Sequence, residues 1–139
     1  MQTTSRQLTG LMRQGWISLA ALIAFGILIE GLSGFRSPAL LDDMIRRDML
    51  RLAHAHGTLL NLMLIVAAIC ARLDLILLGR AAAWELRTAV LVLPLGFLFG
   101  GLWHFKDDPG FAIGLVPIGA VLLLVSAIHI ALTTRRRIE

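Results

Sequence analysis

Apolar residues arrive in four long runs separated by short charged links. Gln14–Phe35 carries one charge, Glu30, while Leu52–Ala71, Thr88–Phe105 and Gly110–Thr134 carry none. A helix needs about 20 apolar residues to cross a hydrocarbon core of about 30 Å, and each run is long enough. The pattern predicts membrane spans over about 14–35, 52–71, 88–105 and 110–134. Residues 1–139 then form a single integral membrane domain, an all-α four-helix transmembrane bundle.

Between the first two runs the period changes. Ser37 and Pro38 have the chemistry of a helix start, and nothing from Ala39 to Ala55 breaks a helix. Leu40, Leu41, Met44, Ile45 and Met49 recur at three- and four-residue steps opposite Asp42, Asp43, Arg46 and Arg47. That predicts an amphipathic outer-loop helix on the membrane surface. In the third and fourth runs Gly96–Gly100 and Gly110–Gly114 have the GxxxG spacing that lets membrane helices approach closely. The link Lys106–Gly110 is so short that these two spans must be an antiparallel hairpin. Gly31-Leu32-Ser33-Gly34-Phe35-Arg36 also echoes Gly101-Leu102-Trp103-His104-Phe105-Lys106, both at the outer end of an upward span.

Composition narrows the function classes. With 58% hydrophobic residues in 139, the spans use nearly all of the chain and leave no room for a soluble catalytic or nucleotide-binding domain. No Walker loop, HExxH or paired-carboxylate motif occurs, so the protein reads as no enzyme on its own. One cysteine, Cys70, rules out an internal disulfide and a CxxC motif. The net charge of +4 does not imply nucleic acid, because the arginines lie at span ends. Arg6, Arg13, Arg72, Arg80, Arg87, Arg135, Arg136 and Arg137 fall on one side, against Arg36, Arg46, Arg47, Arg51 and Lys106 on the other. Eight against five places both termini in the cytoplasm, and with the short loops this fits a bacterial inner membrane. Trp16, Trp84 and Trp103 at span ends anchor depth in the headgroup layer.

The same threading brings His54, His56 and His104 to the outer face, with Glu30 at the end of span one and Asp107 in the adjacent loop. Ionisable groups within spans are costly and point to function by default. At about 100° per residue, His54 and His56 point about 200° apart, so one regular helix cannot aim both at a single metal ion. His129 belongs elsewhere: it follows Gly110 by nineteen residues, about 28 Å of helix. Its position predicts an interfacial imidazole reaching toward water.

Ala55-His56-Gly57-Thr58-Leu59-Leu60, preceded by Ala53-His54, resembles the second transmembrane helix of haem-copper oxidase subunit I, where a histidine ligates the low-spin haem. The likeness covers about a dozen residues, and the chain also resembles other small four-span membrane proteins. By that resemblance His56 is a ligand of haem b, and oxygen reduction is excluded because the copper-binding histidine pair is missing.

Three uses of this set stand side by side. Haem ligation takes His56 with His104 on a facing helix and His54 as second or alternate ligand, in an electron-transfer protein. Copper, iron or zinc takes His54, His56 and His104, with Glu30 or Asp107 completing the shell. Without any cofactor, the imidazoles bond Asn61, Glu30 or a backbone carbonyl, and the protein is a non-catalytic structural or assembly subunit. Its partners are then the lipid bilayer and other membrane subunits or copies of itself.

Overall fold

The computed structural model describes residues 3–106 and 108–138, with side chains as far as residue 134. Helix α1 runs Ser5–Gly34 and begins well before the apolar run because Thr4 caps it. Thr4 Oγ1 accepts the Gln7 N–H at 3.3 Å and Gln7 Oε1 accepts the Thr4 N–H at 2.9 Å, which satisfies two otherwise orphaned amides. Its 30 residues rise about 45 Å, so the polar turns Ser5–Arg13 project past a hydrocarbon core of about 30 Å.

The outer-loop helix is present but short. Helix α2 is the single turn Pro38–Leu41, and helix α3 covers Met44–Arg72. The expected continuous helix through Ala55 breaks at Asp43, whose backbone is extended and whose carboxylate accepts the Arg46 N–H at 2.9 Å. A short acidic side chain that bonds a backbone amide three residues on starts a new helix rather than continuing the old one. Leu40 of α2 is 1% exposed and packs with Ile29 and Leu50, so the apolar side of this segment faces protein as well as membrane. Helix α4 spans Arg80–Leu102, and a 3₁₀ turn at Phe111–Gly114 leads into helix α5, Leu115–Ile138.

Four of these helices are long and apolar enough to cross a membrane, and the chain is an all-α integral membrane protein. Thr3 N–H donates to Leu78 O at 3.2 Å, Thr133 Oγ1 to Leu77 O at 2.9 Å, and Leu77 N–H to Thr134 Oγ1 at 3.1 Å. Both ends of the described chain and the α3–α4 loop therefore share one side, called here the terminus side. The histidine side is opposite.

Packing follows chain order: α1 lies on α3, α3 on α4, and α4 on α5. The bundle is thus closer to a row, with 39% and 44% of the span windows of α3 and α4 buried against 11% for each flanking helix. Leu60, Leu64 and Ala68 of α3 meet Leu86, Val90 and Leu93 of α4, with Leu8 and Leu11 of α1 closing the terminus side. Ile27, Leu59 and Val121 point outward, where acyl chains are the solvent.

The α4–α5 hairpin rests on two glycines. A Cβ on Gly96 would lie 3.0 Å from the Val116 nitrogen, and one on Gly119 would lie 2.8 Å from the Leu93 nitrogen, so only hydrogen fits at these crossings. Gly100 makes ordinary contact with Ile113, whereas Gly114 faces nothing within 4 Å. The second GxxxG is therefore not a packing face: Gly110 turns the chain, donating its N–H to Gly100 O at 2.8 Å. The repeated hexapeptides share a backbone feature, since Arg36 and Lys106 both adopt positive φ, 52° and 50°. In each a left-handed residue follows an exposed phenylalanine, Phe35 or Phe105, but Arg36 lies two residues past the end of α1 and Lys106 four past the end of α4.

Gly119→Ala should lower stability by roughly 1–3 kcal/mol through overpacking against the α4 backbone. Gly114→Ala should be neutral or slightly stabilising; thermal unfolding of both variants in one detergent checks the contrast.

Candidate functional site

The three histidine-side imidazoles go to three different neighbours. His54 turns to α1: its Nδ1 lies 3.1 Å from Leu22 O, and the ring sits over Gly26, where an added Cβ would be 2.5 Å from Cε1. Phe25 flanks it at 6.5 Å between ring centroids. Because a carbonyl oxygen can only accept, Leu22 O selects the tautomer protonated at Nδ1. His56 turns to α4. Its Nδ1 lies 2.9 Å from Leu52 O of its own helix, and its ring rests on Phe97 at 4.9 Å. The opposed directions expected from helical geometry are what the helices use.

His104 lies further out. Helix α4 stops at Leu102, and Trp103 is extended at φ −119° and ψ 72°. His104 follows Phe97, the residue level with His56, by seven positions, about 10 Å of helical rise. Its Nε2 is 2.8 Å from Asp43 Oδ2 and its Nδ1 is 3.2 Å from Lys106 O. The shared depth expected of the three histidines gives way to two levels, because the short link pulls the end of α4 up to the cap of α3. Gly101 packed on Met49 sets that register.

Glu30 joins His54 instead. A cavity of about 320 Å³ between α1 and α3 is lined by Gly26, Ile29, Glu30, Arg51 and His54. Asp107 lies outside the described residues. Among the described residues no group of three or more His, Cys, Asp or Glu side chains is gathered as for a metal ion.

Asp43 is the junction of the histidine side. It caps α3, holds His104 and lies 3.4 Å from Arg46 Nη2. The Arg46 N–H, foremost, holds its carboxyl below the ordinary 3.8; partial burial opposes this, and the His104 hydrogen bond and the charges of His104 and Arg46 assist.

Sequence reading missed a second polar tie. Glu85 Oε2 lies 2.9 Å from His129 Nδ1, joining α4 to α5 near the terminus side. Taking the third span to begin at Thr88 left Glu85 in a loop, yet α4 begins at Arg80. The signal was available in Ala82, Glu85 and Ala89, a small-polar-small stripe at helical spacing. Ser126 Oγ adds a bond to Ala82 O at 2.9 Å along the same seam. His129 keeps partial exposure, 45% of its side chain, beside its contact with Glu85.

Searches against protein-family models, curated proteins and solved structures return no match for this chain.

Asp43→Ala should cost about 1 kcal/mol through the lost cap and should expose His104 to carbethoxylation, read by mass spectrometry. Since the folded-state pKa of Asp43 is depressed, its contribution is full above the ordinary value of 3.8 and is lost as pH falls through the lower folded value. Unchanged His104 labelling in the variant would show that Asp43 does not hold the imidazole.

Proposed function

We propose that this protein is a non-catalytic integral membrane subunit that docks a partner membrane helix in the α1–α3 groove, with its termini in the cytoplasm of a bacterial inner membrane. The groove carries the reading. Glu30 and Arg51 both line it, both are exposed, and neither makes an ion pair within 4.0 Å among the described residues. Charges at membrane depth are stable when paired within a bundle or across an interface, so an acid and a base held apart beside His54 suit a partner with its own polar groups. The imidazoles support the same reading, because His54 and His104 are engaged as ties between elements.

A photo-crosslinking residue in place of Ile27, one turn before Glu30 and 69% exposed, should capture one defined membrane protein or a second copy of this chain. Glu30→Leu should abolish that product, and a probe at Ile128 on α5 should give none. Lipid adducts alone from both positions would count against the docking role.

One observation favours a second reading. With Nδ1 on the Leu52 carbonyl, His56 has no hydrogen-bond partner at Nε2 among the described residues, and this is how ligating imidazoles are oriented by their surroundings. His56 then holds haem b, or a copper, iron or zinc ion, with its remaining ligands from the partner, in service of electron transfer. The purified complex should show a Soret band that disappears in His56→Ala; a colourless, metal-free complex leaves the subunit reading alone.

A further inference from the structure

On the terminus side a cavity of about 390 Å³ lies between α1 and α4. Arg6, Arg80 and Arg87 line it together with Thr3 and Trp84, and among the described residues no acidic residue does. Arg6 and Arg87 make no ion pair within 4.0 Å among the described residues. The nearby acid on α4, Glu85, is directed to His129 on the α5 side. A second cavity of about 240 Å³ shares Trp84 and Arg87 and continues along α4 over Thr88, Leu91 and Val92. A basic compartment therefore opens directly into an apolar groove on the membrane-facing surface.

That juxtaposition describes an amphiphile. A soluble phosphate would need only the first compartment, whereas a phospholipid needs both, in this order along the membrane normal. Trp84 is 62% exposed at the boundary between them, at the headgroup level such rings favour. Arginine binds phosphate through paired donors, and basic pockets between membrane helices take up anionic headgroups. We infer that the α1–α4 cavity binds the phosphate headgroup of an anionic phospholipid, with an acyl chain lying along Leu91 and Val92.

The test uses the full chain in detergent micelles, with native mass spectrometry after addition of phosphatidylglycerol, phosphatidylcholine or inorganic phosphate. Phosphatidylglycerol should be retained in clear preference to phosphatidylcholine. The Arg6→Gln, Arg87→Gln double variant should weaken it about fivefold for each arginine removed. Arg36→Gln on the histidine side should leave retention unchanged, and lysine at positions 6 and 87 should preserve most of the preference. Thermal unfolding of each variant separates lost binding from lost fold. Equal retention of the two lipids, an equal drop in Arg36→Gln, or displacement of the lipid by an equimolar amount of inorganic phosphate would overturn the inference.

Discussion

Hydrocarbon supplies no hydrogen-bond partner, and that constraint shapes the polar residues of this chain. Each helix satisfies its own backbone, so what remains is where the few polar side chains turn. Most turn to the next helix or to their own. His54 reaches Leu22 O, Ser126 reaches Ala82 O, His129 meets Glu85, and Asn61, 1% exposed, donates to Gly57 O at 2.8 Å. Such bonds average about 0.6 kcal/mol and reach about 1.7, modest beside close packing. Their effect is to fix rotation and register, which apolar contacts between smooth helices leave loose.

Those ties act on a row rather than a closed ring. Helices α3 and α4 are the spine, and α1 touches the rest along one face only. Both grooves described above flank α1, the α3 groove on the histidine side and the α4 cavity on the terminus side. Fixed points hold it between them: Thr3 at Leu78, Gln14 Nε2 donating to Arg87 O at 3.2 Å, and His54 at Leu22. A helix held at intervals and packed lightly is a natural place for surface recognition, since a ligand or partner there displaces lipid and not core.

Span number, antiparallel threading and the tight α4–α5 hairpin were legible because they depend on run length and link length. The opposed faces of His54 and His56 were legible for the same reason, as a two-residue step on any helix. Rotational choice was not. Nothing in the order of residues says that Leu22 O, rather than Asn61 or Glu30, would meet His54, because that depends on how α1 leans on α3 over Gly26. His104 was misplaced in depth because an apolar run continues to Phe105 while the helix ends at Leu102. Glu85 was missed for the mirror reason: charge was taken to end a span that the alanines at 81–83 carry onward as helix.

The ends of the bundle differ electrostatically by more than a tally of arginines conveys. On the histidine side Arg46 lies 3.4 Å from Asp43, and Arg47 lies 3.6 Å from Asp48, so local carboxylates offset these two cations. On the terminus side Arg6 and Arg87 share a cavity lined by no acid among the described residues. Because the Debye length is about 8 Å at physiological salt, paired charges cancel within the headgroup layer while a basic cavity keeps its field there. With the termini in the cytoplasm, as proposed, the arginines that would bias topology during insertion are the ones left able to act on the membrane after folding. On that proposal and the inferred lipid site, orientation and lipid recognition are two uses of one charge distribution, separated only by whether the chain has yet brought α1 beside α4.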